Sequence, residues 1–101
     1  MITRRLVRSV DRDVLARAAD IIKMLGHPER LKIVEVLEGG AATVSEIEQE
    51  VRLPQAIVSQ HLARMRGAGI VAARRDGAFV HYRITEAKVH HILNCIRNCD
   101  L

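Results

Sequence analysis

The chain has 101 residues, 49% of them hydrophobic, with 16 basic against 12 acidic side chains and a formal net charge of +4. That length makes one small domain, whose limited core invites support from a second subunit. One phenylalanine and one tyrosine are too few for a stacking platform on single-stranded nucleic acid. No run approaches the roughly 20 apolar residues of a membrane span and the N-terminus lacks the apolar core of a secretion signal, so a cytoplasmic protein with no membrane partner and with Cys95 and Cys99 reduced is expected.

Residues 1–9 form a basic arm with Ile2, Leu6 and Val10 four apart, either a backward extension of the first helix or an unstructured tail. The first helix is expected from Asp11 or Arg12 to Leu25, with Leu15, Ala18, Ile21 or Ile22, and Leu25 as its apolar stripe. Asp11 can cap it and Gly26 can end it. Pro28 stands at a first helical position and restarts the chain, with Leu31, Ile33, Val34 and Leu37 buried, until Gly39-Gly40 closes that helix.

Thr43 followed three residues later by Glu46 is a capping-box pattern, so a short helix begins near Val44. Val44, Ile47 and Val51 share its apolar face while Glu46, Glu48 and Glu50 face outward. Pro54 ends it by Arg52 or Leu53 and opens a second helix to Gly67. Ile57 or Val58, His61 or Leu62, and Met65 supply the buried side of that helix. Gln55, Ser59, Gln60, Arg64 and Arg66 are left for the other side, the set a helix needs to read base edges and grip phosphates in a major groove. After Gly67 and Gly69 come two runs of high strand propensity around Asp76-Gly77, a hairpin signal. Val80, Tyr82 and Ile84 fall on one face of it, and Phe79, His81 and Arg83 on the other. Arg74 and Arg75 at its tip can lie along a phosphate backbone.

Charge follows the same map. Residues 9–51 carry five bases and nine acids, whereas residues 52–83 carry six arginines and only Asp76. A basic helix-turn-helix pattern behind an acidic first half is the footprint of a nucleic-acid binder. A last helix opens at Thr85-Glu86-Ala87-Lys88, with Val89, Ile92, Leu93 and Ile96 as its stripe.

Val58-Ser59-Gln60-His61-Leu62, Arg66-Gly67-Ala68-Gly69-Ile70-Val71, Arg75-Asp76-Gly77 leading into Val80-His81-Tyr82-Arg83-Ile84, and Leu25-Gly26-His27-Pro28-Glu29-Arg30-Leu31-Lys32-Ile33 upstream resemble the motifs of the ArsR/SmtB family, small bacterial winged-helix repressors. The resemblance covers roughly residues 18–84. It implies a mainly α fold with a small β-hairpin, a winged helix-turn-helix of order ααααββα in a single domain spanning 1–101. Within it, 43–67 would be the helix-turn-helix, 70–84 the wing, and 11–25 and 85–99 the helices that pair two subunits. The function implied is that of a homodimeric repressor on double-stranded DNA, with Gln55, Ser59, Gln60, His61, Arg64, Arg66, Arg74 and Arg75 as contact candidates. Two subunits would set their reading helices about one DNA turn (~34 Å) apart on a palindromic operator. This chain departs from the family pattern where Pro54 replaces the usual Ser cap of the reading helix and Ile57 replaces a frequent Thr.

Family members release DNA when an effector binds, and two of the family's sensing sites have no match here. Thr43-Val44-Ser45 stands where a Cys-Val-Cys thiol site would be. In the zinc-type site, Glu86 matches the acid but Lys88 replaces the His, and Cys99 is the one donor near the end of the helix. What remains is His91, Cys95 and Cys99, spaced four apart. His91 and Cys99 are about 12 Å apart along a helix at 1.5 Å per residue, so one helix cannot close all three on one ion. Three readings stand side by side: small hydrophobic packing thiols, a sensor of redox, persulfide or soft metalloid species, or a metal ion held by His91 or Cys99 with Cys95 and donors from a partner. Catalysis finds no support, because no nucleophile, base and acid share an arrangement and no Gly-rich phosphate loop is present. The rival to a repressor is a winged-helix module that uses its basic face for protein contact.

Overall fold

A computed structural model describes residues 8–101; the basic arm with Arg4 and Arg5 therefore lies mostly outside the described residues. Residues 8–11 are not helical, and α1 runs Arg12–Met24 with the Asp11 carboxylate accepting the Asp13 amide at 2.8 Å. Helix α2, Pro28–Leu37, begins with Pro28 in its first turn and His27 at the cap position, where the imidazole makes no capping bond. A two-residue strand β1, Ala42–Thr43, precedes α3, Val44–Val51. Helix α4 spans Gln55–Gly67, strands β2 and β3 span Val71–Asp76 and Phe79–Ile84, and α5 spans Lys88–Arg97. The expected winged helix-turn-helix is therefore present, with five helices and a small antiparallel sheet.

The α3–α4 turn follows from local chemistry. Thr43 Oγ1 accepts the Glu46 amide at 3.2 Å and Glu46 Oε1 accepts the Thr43 amide at 2.9 Å, the reciprocal capping box. Those bonds to the Thr43 backbone and hydroxyl hold the Glu46 carboxyl below its ordinary range. At the other end Arg52 closes α3 in the left-handed region, φ 58° and ψ 42°. For a residue with a side chain this costs roughly 1–2 kcal/mol, accepted here because it turns the chain sharply enough for Leu53 to tuck against the core. Pro54 sits at the cap of α4, so the helix begins one residue later than expected, and the Pro54 carbonyl accepts the Ile57 and Val58 amides.

One core joins the elements. Ile33 and Val34 from α2, Ile47 from α3, Val58, Leu62 and Met65 from α4, Ile70 before the wing and Val89 from α5 are fully buried. Contributions from four helices leave α4 wedged by three side chains three and four apart, which fixes its rotation about its own axis. Leu31, expected in the core, is only half-buried at its margin.

Strand order in the sheet is β1-β3-β2, all antiparallel. Strand β1 was not apparent in the sequence, since two residues carry no period; it exists because Ala42 and Thr43 pair with Tyr82 and His81, 40 and 38 positions away. The hairpin loop is also displaced by one residue. Asp76 pairs with Phe79, so the two loop residues are Gly77 and Ala78, with Gly77 at φ 63° and Ala78 not left-handed. That is the type II′ pattern, with glycine at the first loop position. Helix α5 stops at Arg97, with Cys99 in the turn beyond it, short of the expected extent to 99. No α1 residue is buried: Leu15 and Ile22 are 54% and 61% exposed, Ala18 is half-buried, and Ile21 and Met24 lean on the core.

Candidate nucleic-acid interface

The buried stripe of α4 dictates what its other side presents. Successive residues turn about 100°, so Gln60 and Ala63 point away from Val58, Leu62 and Met65. Arg64 and Arg66, two residues apart, fall on opposite flanks of that outward face. Gln55 and Ser59 share the flank of Arg66 by their four- and seven-residue spacings. Gln55, Ser59, Gln60, Arg64 and Arg66, the five of these able to contact DNA, are all exposed. The arrangement puts amide and hydroxyl groups, able to pair with base edges, between two guanidinium groups able to meet the phosphates on either side of a groove.

His61 is placed differently from the other five. It is half-buried, and its Nδ1 accepts a hydrogen bond from Arg30 Nε at 3.0 Å. Burial first, then the positive charge of Arg30, pushes its pKa below the ordinary 6.5. Arg30 itself, 7% exposed, was not singled out in the sequence; a lone Arg on an apolar helix face gives no periodic signal. Its Nη1 donates to the Met24 carbonyl at 2.9 Å and lies 3.1 Å from the Met24 sulfur. His61 thus joins the reading helix to the α1–α2 corner.

In the wing, cross-strand partners share a face. Arg75 opposes Val80, on the face with Tyr82 and Ile84, whereas Arg74 opposes His81, on the face with Arg83 and Phe79. The two tip arginines therefore leave opposite sides of the ribbon, both exposed. Arg83 and Arg52, exposed as well, extend the basic surface to the outer face of the wing and to the helix-turn-helix corner. Both belong to the arginine excess of residues 52–83, but charge alone does not say which members share a surface. The wing base is fastened by Thr85, whose amide donates to the Ile70 carbonyl and whose hydroxyl donates to the Gly69 carbonyl.

The model of the bacterial regulatory protein arsR family matches residues 27–73. Over 78 residues the chain is 40% identical to the biofilm growth-associated repressor of Xylella fastidiosa, covering 77% of this chain and 68% of that protein. The chain belongs to the ArsR family. Its fold matches the crystal structure of the transcriptional repressor PagR of Bacillus anthracis with TM-score 0.76 and 38% identity, over 85% of this chain and 99% of that one. It also matches the solution structure of the homodimeric winged helix-turn-helix DNA-binding domain of Mb0332 from Mycobacterium bovis, with TM-score 0.72 and 26% identity over 91% and 87% of the two chains. Like its relatives, this ArsR-family chain is a DNA-binding transcriptional regulator and not an enzyme. No helix among the described residues is long and apolar enough to cross a membrane.

The effector candidates of this ArsR chain lie on the outside of α5 and just past it. His91, Cys95 and Cys99 are exposed, and both cysteines are free thiols. Among the described residues no three His, Cys, Asp or Glu side chains gather closely enough to hold a metal ion. The chain does not close His91, Cys95 and Cys99 on one ion by itself. Glu86 is engaged elsewhere: its carboxylate accepts the Lys88 amide at 3.0 Å, which holds its pKa below the ordinary range. On another side of α5, Glu38 at the end of α2 accepts from Arg97 and pairs with His90 Nδ1 at 3.1 Å. The Arg97 hydrogen bond is the first cause of the lowered Glu38 pKa.

Proposed function

We propose that the protein is a homodimeric repressor that seats its two α4 helices in successive major grooves of a palindromic operator, with the wings on the flanking backbone. The observation that carries this reading is α4 itself, pinned by Val58, Leu62 and Met65 so that Gln60 faces outward between Arg64 and Arg66. Dimerisation is supported by the apolar residues that one chain leaves uncovered on its first and last helices, Val14, Leu15 and Ile22 on α1 and Ile96 on α5. Such surface is stabilised when a second copy covers it. A regulator of this kind works beside its DNA, in the cytoplasm.

In the same reading Cys95 and Cys99 are the switch. They are exposed on and just past the helix proposed to meet the partner, so oxidation, persulfide formation or a soft metalloid there would alter how the two reading helices are spaced. Fluorescence anisotropy on the protein's own promoter tests each part. Tight binding to that duplex at moderate salt, lost on adding tetrasulfide or arsenite and retained in Cys95→Ser or Cys99→Ser, is the expected result. No preference for any duplex at low salt would instead favour a protein-contact module. DNA binding indifferent to every thiol agent would return the cysteines to packing residues.

A further inference from the structure

Arg30 poses an electrostatic question that its hydrogen bonds do not answer. A buried cation is stable when a carboxylate or other anion compensates it, since removal from water costs several kcal/mol otherwise. Arg30 is 93% buried by the 7% exposure of its side chain and backbone together, yet the groups that hold it are all neutral. They are the His61 imidazole, the Met24 carbonyl and the Met24 thioether. Among the described residues no carboxylate lies within ion-pair distance of it, the salt bridges being Lys32–Glu35, Lys88–Glu86, and Glu38 with His90 and Arg97.

The guanidinium also lines a cavity. A recess of about 540 Å³ between α1, α2 and α4 is bounded by Asp20, Lys23, Met24, His27, Arg30, Arg64 and Ala68. Three formal cations, Lys23, Arg30 and Arg64, face one carboxylate, Asp20, and each comes from a different helix. Nε of Arg30 bonds to His61 and Nη1 to Met24, which holds the guanidinium still and leaves Nη2 without a bond to a described residue. A held guanidinium with a free nitrogen, beside the cations of Lys23 and Arg64, is suited to an oxyanion, because a charged donor that is already fixed loses little freedom on meeting an oxygen.

We propose that this recess is an oxyanion seat, in which a phosphate-type anion supplies the negative charge that Arg30 lacks, with Lys23 and Arg64 closing over it. Two sources can present that chemistry, a free phosphate-bearing small molecule or a backbone phosphate of bound DNA. Arg64 connects the seat to the reading helix, so occupancy would bias how α4 is presented.

The test uses the full chain with inorganic phosphate as the probe, replacing chloride at constant ionic strength, and follows the Arg30 Nε–H resonance by NMR. A saturable shift is expected, weakened about fivefold by Lys23→Gln, the loss of one charged hydrogen-bond donor, and unaffected by Lys32→Gln outside the recess. No saturable shift, or equal weakening by the two variants, overturns the proposal. Repeating the titration with bound duplex assigns the source. Loss of phosphate binding supports a seat for the DNA backbone, and phosphate binding retained alongside DNA supports a seat for a free anion. Failure to bind any duplex would count against the repressor reading while leaving the phosphate titration to decide on the seat.

Discussion

Arg30 Nε donates to His61 Nδ1 at 3.0 Å, tying the reading helix to a residue 31 positions earlier in the chain. A guanidinium keeps its protons at any ordinary pH, so the accepting nitrogen must be bare and the His61 proton must sit on Nε2. Protonating His61 would remove the acceptor and set two cations against each other.

That bond gives a pH dependence of definite sign. Burial and Arg30 lower the His61 pKa in the folded protein, so below about 6.5 the unfolded chain binds the proton more readily than the folded one. The stabilisation is whole above the unfolded value, falls as pH drops from there toward the lowered folded value, and is gone below it. His27, Glu29 and Arg64 also act on the ring, Glu29 alone raising its pKa. Denaturant titrations between pH 7.5 and 5 should show stability declining more in wild type than in His61→Gln. Parallel curves for the two proteins would refute the assignment.

The helix-turn-helix corner rests on the Thr43–Glu46 capping box. Thr43→Ala should destabilise the fold by about 1 kcal/mol, the usual value of a lost cap, while Thr43→Ser should cost much less. Thermal unfolding of the two variants distinguishes a cap from a β1 packing role, because both replacements weaken strand propensity but only alanine removes the acceptor.

On DNA, the outward Gln60 and the wing Arg75 should fail differently. Gln60→Ala should reduce discrimination between operator and random duplex by about 1–3 kcal/mol. Arg75→Ala should weaken both duplexes alike and lower the slope of log affinity against log salt by about 1. Competition assays at several salt concentrations separate the cases; equal losses on the two duplexes for Gln60→Ala would mean that it does not read bases.

Ile22 is 61% exposed in the single chain, and in the proposed dimer it is covered. Ile22→Glu should therefore raise the dimer dissociation constant at least tenfold, about 1.4 kcal/mol, with little loss of monomer secondary structure. Sedimentation velocity across a concentration series measures it, and an unchanged association would place the dimer contact elsewhere.

What the sequence determined by itself are the features written within four residues of one another. The Thr43–Glu46 cap, the breaks at Pro28 and Pro54, and an apolar stripe on α4 through Ile57 or Val58, His61 or Leu62, and Met65 are local, because helix geometry repeats every 3.6 residues and makes spacing legible; burial chose Val58 and Leu62. Those features were enough for the fold, and with the arginines of residues 52–83 they named the face proposed to read DNA. Tertiary structure decided the rest. Strand β1 exists through its partners on β3, the Glu38 contacts to His90 and Arg97 span 52 and 59 positions, and His61 leaves the reading face for Arg30. Each depends on where separate elements meet in the core, and no local pattern of charge or hydrophobicity encodes which of two distant side chains will face each other there.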